Sequence, residues 1–237
     1  MAEAATVDAA GLNRRFADGG TRAMLAAVLA ESAGRRVGVV SSFGAGSVVL
    51  LHMIAGVDPS LPVLFVDTGK LFAETLAYRD AIVARLGLTD VRTAAAGDAM
   101  IAAADPHGAL WQADKAACCA LRKVAPFADL IAPFDIWISG RKRYQGGARG
   151  QIPLFEADGP RLKVNPLAHW TSGDIEVYRA AFDLPQHPLL ARGYRSIGCE
   201  PCTTPVAEGE DERAGRWRGS GKTECGIHAA FENGAGI

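Results

Sequence analysis

An open α/β sheet is the fold the sequence predicts, and three observations carry the prediction. Short apolar runs rich in β-branched residues fall at residues 37–40, 61–66 and 134–139, with a further strand expected over 91–95 and segments of helical spacing between them. Two of these runs empty directly into glycine-rich loops, Ser41-Ser-Phe-Gly-Ala-Gly-Ser47 and Gly140-Arg-Lys-Arg-Tyr-Gln-Gly-Gly-Ala-Arg-Gly150. Hydrophobic residues make up 49% of the 237 positions, which suffices for a sizeable core and excludes a chain disordered throughout.

Residues 1–34 place Leu12, Phe16, Met24, Leu25, Val28 and Leu29 near helical spacing, so two packing helices are expected, broken at Gly19-Gly20. The strand at 37–40, the glycine loop and an apolar helix over 48–55 then form a junction suited to an anion. Glycines let backbone amides close on phosphate oxygens, and the helix N-terminus supplies partial positive charge. A Walker A loop is excluded because no lysine follows the glycines. A dinucleotide fingerprint needs glycine where Val49 stands, although Asp67 lies about 20 residues on, as that motif prefers. A dinucleotide oxidoreductase and a purely structural turn therefore stay open at this loop.

The strand at 61–66 delivers Asp67, Thr68, Gly69 and Lys70 to the same sheet edge before a helix over 72–86. Asp67 and Thr68 are placed to meet a ribose or adenine edge, or else to cap that helix. One helix over 109–124 is expected to carry Cys118 and Cys119. The loop after residues 134–139 packs Arg141, Lys142, Arg143 and Arg149 among glycines, and arginine forks suit phosphate and sulfate oxygens. A hairpin is expected from 152–155 and 162–164 around Ala157-Asp-Gly159, and Thr171-Ser-Gly-Asp174 is a capping-box variant opening a helix to residue 182. His169 and Trp170 beside it are read as packing residues. From Arg192 glycine, cysteine, proline and charge rise and apolar periodicity ends, so an irregular, partly mobile tail is expected. We divide the chain into an α/β nucleotide-binding unit, 1–195, and a C-terminal segment, 196–237.

The 25 basic and 26 acidic residues leave a net charge of -1, which gives no reason to expect nucleic acid as a partner. The first residues lack the basic start and apolar stretch of a signal peptide, and no run of about 18 apolar residues occurs, so a cytoplasmic protein without a membrane partner is expected. In that reducing compartment five cysteines argue for metal binding or catalysis rather than disulfides.

Cys118 and Cys119 lie four residues before Arg122 and Lys123, one helical turn away. Adjacent residues on a helix point about 100° apart, so both sulfurs reach one centre only if it is large or the backbone bends. With Cys199 and Cys202 they make the four-cysteine set of a 4Fe-4S cluster. A four-cysteine zinc site is the alternative, against which the adjacent pair counts, because zinc ligands are usually spaced by two to four residues. Cys225 is left over in a polar segment between Lys222 and His228, which makes it a nucleophile candidate. Glu224 beside it opposes thiolate formation, so activation requires that the tail fold over the basic loop.

Taken together, several motifs resemble the assimilatory adenylyl-sulfate and phosphoadenylyl-sulfate reductases. They are the loop Ser41 to Ser47, Asp67-Thr-Gly-Lys-Leu-Phe-Ala-Glu-Thr75, Cys118-Cys119, the arginine loop, Ile197-Gly-Cys-Glu-Pro-Cys-Thr203, Glu212-Arg213 with Gly215-Arg216-Trp217, and Glu224-Cys-Gly-Ile-His228. The resemblance implies a parallel sheet between helices, like the adenine nucleotide α-hydrolases. It implies that Cys225 attacks the sulfur of adenylyl sulfate to give an S-sulfonated thiol, which thioredoxin or glutaredoxin reduces to sulfite in sulfate assimilation. It implies a 4Fe-4S cluster on Cys118, Cys119, Cys199 and Cys202 that passes no electrons to substrate, with Lys123 linking it to the bound anion. Substrate contacts are then expected from Ser42, Gly44, Gly46, Ser47, Asp67, Thr68 and Gly69, from Gly140, Arg141, Arg143 and Arg149, and from Arg213, Arg216 and His228. The sequence departs from the common pattern at Gly46-Ser47, where acidic residues are usual, at Ala73, where proline is usual, and at Gln145-Gly146-Gly147. A phosphoadenylyl-sulfate reductase, a nucleotide-dependent transferase and an iron-sulfur sensor remain alternatives, and the sequence leaves open whether the chain forms a homo-oligomer.

Overall fold

Helix α1 (Ala9–Arg15) starts where the Asp8 carboxylate accepts the Gly11 amide at 2.7 Å, and α2 (Thr21–Glu31) starts after Gly20, so the break at Gly19-Gly20 is present. The structure, a computed structural model, describes residues 8–228, and the part of the helical expectation over residues 1–7 lies outside them. The chain continues through β1 (Val37–Val40), α3 (Ser47–Ala55), β2 (Val63–Val66), α4 (Ala73–Leu86), β3 (Val91–Ala94), α5 (Asp98–Ala104), α6 (Leu110–Ala113), α7 (Lys115–Cys119), α8 (Ala125–Ile131), β4 (Ile136–Ser139), β5 (Phe155–Asp158), β6 (Arg161–Val164) and α9 (Ser172–Ala181).

The six strands form one sheet in the order β3-β2-β1-β4-β6-β5, parallel except for the antiparallel edge pair β5–β6. Continuous apolar sequences such as Val-Gly-Val-Val and Ile-Trp-Ile are what a parallel sheet covered on both faces requires. Side chains alternate across the strands, and two core clusters divide accordingly. Val39, Val63, Phe65 and Ile138 pack with Val49, Met53 and Ile54, whereas Leu64 and Trp137 pack with Phe127 and Ile131.

Three expectations change. The helix expected over 109–124 breaks at Asp114, whose carboxylate accepts the Ala116 and Ala117 amides at 2.8 and 2.9 Å and so caps α7. Beyond α7 the backbone widens into a π-helical turn, Ala120–Val124, and runs on into α8. Pro126 accounts for the widening: it has no amide to donate, and its ring crowds the carbonyl four residues back. The hairpin pairs Asp158 with Arg161 across Gly159-Pro160, so its first strand begins at Phe155 rather than Ile152. The short α5 has no counterpart among the expected elements.

Residues 196–228 are irregular, as expected; a single bridge from Leu71 to Cys199 ties them to the loop after β2, another from Thr203 to Arg216 closes the segment on itself, and Trp217 and Ile227 are buried. Among the described residues no helix is long and apolar enough to cross a membrane.

Candidate active site

Strand order reverses between β1 and β4, and the crevice beyond the carboxyl ends of such a pair is where open α/β sheets bind ligands. The glycine loop leaves β1 and the basic loop leaves β4 at this point. Ser41 Oγ accepts the Phe43 amide at 3.1 Å, and Phe43 takes φ +48° with its ring buried edge-on against Phe65. A non-glycine residue held in the left-handed region stores strain that the buried ring offsets. Gly46 is the N-cap of α3; the Ser47 amide donates to the Gly44 carbonyl at 3.0 Å, and beyond it no side chain competes with an anion for the amides of the first turn.

These loops line a cavity of about 640 Å³, within the range of small-molecule sites. The C-terminal segment closes it, bringing Arg213, Arg216, Glu224, Cys225 and His228 against Lys123, Arg149 and the glycine loop. Burial lowers the pKa of Lys123, but the charges of Cys199 and Cys225 outweigh burial and raise it. Burial, with the neighbouring charge of Arg149, lowers Arg213 to about 10. The buried Arg216 Nε has no partner. Burial raises Glu224, yet its bonds to Arg149 and the charge of Arg213 win and hold it at about 2. His228 stacks on Trp137 with centroids 5.6 Å apart, and burial, reinforced by Arg141 and Lys163, keeps it neutral.

A second cavity lies behind the first. Cys118, Cys119, Cys199 and Cys202 all line it, together with Lys123 and Arg216, which line both cavities. The widened turn begins only after Cys119, so both cysteines stand on regular helix at the end of α7, and both line this cavity. Burial first and neighbouring cysteines second push the Cys118 thiol up to about 11. Among the described residues no group of three or more Cys, His, Asp or Glu side chains is arranged to hold a metal ion. Four sulfurs around one space, with cations beside them, fit a polynuclear group better than one zinc.

Of the expected contacts, the first cavity gathers Ser42, Gly44, Gly46 and Ser47, then Gly140, Arg141 and Arg149, and finally Lys123, Arg213, Arg216 and His228 around Cys225. Four lie elsewhere. Thr68 lines the cysteine cavity, 3.3 Å from Cys199 Sγ. Gly69 follows it at φ +64°, and the Asp67 carboxylate accepts the Gly69 amide at 2.9 Å; these two line neither cavity, and neither acid nor threonine caps α4, whose N-cap is Phe72. Arg143 donates through Nε to the Ile152 carbonyl at 2.8 Å, tying the basic loop to the segment that leads into β5. Lys142, Glu212 and Glu224 line the cavity without having been singled out as contacts. Burial and the charge of Arg149 lower Lys142 to about 8, and its Nζ lies 2.9 Å from where a side chain on Gly46 would begin. The signal for Lys142 was its place in a basic loop directly after a strand.

The sequence profile described as the phosphoadenosine phosphosulfate reductase domain matches residues 36–205, most of the chain. The chain belongs to that family. It is 56% identical over 192 residues to an adenosine 5'-phosphosulfate reductase of Mesorhizobium japonicum, covering 81% of this chain and 76% of the relative. A phosphoadenosine 5'-phosphosulfate reductase of Gloeobacter violaceus is 42% identical over 213 residues, covering 86% and 88%. The crystal structure of the phosphoadenylyl-sulfate reductase from Candida auris, a phosphate complex, superposes with a TM-score of 0.69 over 84% of this chain and 96% of that one, at 22% identity, which shows the shared fold. The expected parallel sheet between helices is thus the one observed, and the residues that close the cavity from 213 onward lie in the irregular C-terminal segment, beyond the matched stretch 36–205.

Proposed function

We propose that the protein reduces adenylyl sulfate to sulfite and AMP, with Cys225 as the nucleophile. The observation that carries this reading is that Cys225 shares one cavity with the glycine loop, the uncapped start of α3 and the cations Lys123, Arg213 and Arg216. The name of the M. japonicum relative supports the same activity. The Cys225 thiolate attacks the sulfate sulfur, an S–S bond forms, and the S–O bond to the phosphate breaks with release of AMP. Cations aimed at the leaving phosphate and the sulfonate offset the developing charge. A thiolate of reduced thioredoxin or glutaredoxin then attacks Cys225 Sγ and expels sulfite. The second thiol of the reductant frees Cys225 and leaves the reductant as a disulfide, which accounts for both electrons.

Cys118, Cys119, Cys199 and Cys202 would hold a 4Fe-4S cluster, supported by their lining one cavity beside Lys123 and Arg216. When bound, the cluster supplies an electrostatic element behind the anion site rather than electrons for the substrate. Lys123 and Arg216, lining both cavities, are the residues through which that charge bears on the phosphosulfate.

A phosphoadenylyl-sulfate reductase is the second reading, favoured by the G. violaceus relative and by Lys142 lying beneath Gly46 without an acidic partner in the loop. Sulfite release with each nucleotide and reduced thioredoxin separates the two. A higher kcat/KM for adenylyl sulfate is expected, a higher value for the 3′-phosphorylated form overturns the preference, and no sulfite from either overturns the function.

A further inference from the structure

We infer that the Glu224–Arg149 ion pair positions Cys225, so that Arg149 serves the nucleophile rather than the anion. This rests on the reading of Cys225 given above. Every nitrogen of the Arg149 guanidinium is engaged within the protein. Nε donates to Glu224 Oε2 at 2.7 Å, Nη2 to Glu224 Oε1 at 2.8 Å, and Nη1 to Gln145 Oε1 at 2.6 Å. The two side chains are only 12% and 16% exposed, and a bidentate fork in such surroundings fixes orientation as well as distance.

The carboxylate also gathers the strand of chain that carries the thiol. Glu224 Oε1 accepts the Cys225 amide at 3.2 Å and Arg213 Nη2 at 3.3 Å, and the same Arg213 nitrogen donates to the Thr223 carbonyl at 2.9 Å. One carboxylate therefore ties the loop after β4, the turn at Arg213 and the backbone of Cys225 together. The need is plain: the residues leading into Cys225 contain no helix or strand, and Gly226 beyond it takes φ +80°. Ile227, packed with Leu64 and Trp137, anchors the far side. The near side has Glu224. Arg216 is the contrasting arginine: its buried Nε is unpartnered, which leaves it donor capacity for an anion.

The test compares Arg149→Ala, Glu224→Gln and the double variant in the full-length holoprotein. Two readouts are taken: kcat and KM for adenylyl sulfate, and amide hydrogen exchange of the peptide containing Cys225 without substrate. Each single variant is expected to lower kcat at least about tenfold with KM within about twofold, since a small misplacement of a reacting group costs rate rather than binding. Exchange in the Cys225 peptide should speed up in both, and the double variant should be no worse than either single, because the two side chains act as one unit. If Glu224→Gln does not fold, Glu224→Asp keeps the charge but shortens the reach and carries the same expectation at smaller size. A tenfold or greater rise in KM with kcat retained in Arg149→Ala would show that Arg149 holds the anion, and additive losses or unchanged exchange would equally overturn the inference. Sulfite formation by Cys225→Ser would contradict the function itself, whereas an inactive Cys225→Ser alongside unaltered Arg149 and Glu224 variants would contradict the ion-pair role alone.

Discussion

Glu224 has a role opposite to the one its charge suggests when it is read from the chain alone. Next to a candidate thiolate it looks like a hindrance, but in the folded protein Arg149 and Arg213 absorb its charge and hold its carboxyl at about 2, against the ordinary 4.5. A carboxyl depressed on folding stabilises the native state above the unfolded pKa, and that contribution is lost as pH falls through the folded one. Glu224→Gln is therefore expected to cost about 3 kcal/mol at neutral pH by leaving buried guanidinium groups unpaired. It should also flatten the loss of stability as pH falls from 4.5 toward 2, measured by thermal melts across that window. An unaltered acid limb would show that the pair contributes nothing. No sequence pattern announced this contact, because Arg149 and Glu224 stand 75 residues apart and meet only when the tail folds back. Arg141 and Arg149 were legible as cavity residues, since a basic glycine loop after a strand has few other uses. Arg143, identical in kind and two residues from Arg141, turns to the Ile152 carbonyl, a choice set by the local turn and invisible in composition.

Elements were legible where hydrophobic pattern and capping chemistry agree. The capping box at Thr171 and Asp174 is formed, with both reciprocal bonds, and the strand–loop–helix at β1 and α3 stands where the glycines placed it. The helix of the cysteine pair was misjudged because its interruption comes from a cap at Asp114 and from Pro126, two local signals that compete with an unbroken helical periodicity. The irregular C-terminal segment is held by fit rather than by regular structure, and Gly215 is where the fit is tightest. A side chain there would begin 2.1 Å from the Thr204 carbonyl oxygen, which itself belongs to the strand of chain bridged to Arg216. Backbone cannot yield as a side-chain tip does. Gly215→Ala should therefore separate the two strands, cost about 2 kcal/mol or more, and reduce sulfite formation by displacing Arg213 and Arg216. Calorimetry with a parallel activity assay checks this, and a variant matching the parent in both would show that the segment adapts freely.

At the scale of the whole molecule, one parallel sheet presents two cavities that share Lys123 and Arg216. The existence of the sheet could be read from the chain, but its strand order could not, and strand order decides which loops meet. Asp67, Thr68 and Gly69 end a strand just as the glycine and arginine loops do, so the chain alone assigns all three to one ligand. Yet Val66 and Leu71 on either side of that segment line the first cavity, and within it Thr68 alone turns to the cysteine cavity, a choice made by the local turn. The shared wall predicts that the protein prepared without air is brown, with about four irons per chain, and that serine at Cys118, Cys119, Cys199 or Cys202 removes most of the iron. Metal analysis finding stoichiometric zinc and no visible absorbance would reject the cluster. The central claim, direct attack by Cys225 on the sulfate sulfur, is tested most directly by mass spectrometry of protein incubated with adenylyl sulfate and no reductant. The account predicts one sulfonate per chain on the Cys225 peptide, discharged as sulfite by reduced thioredoxin and absent from Cys225→Ser, because a hydroxyl cannot replace the thiolate. An unmodified Cys225 peptide in a sample that still forms sulfite on addition of thioredoxin, or turnover by Cys225→Ser, would contradict it.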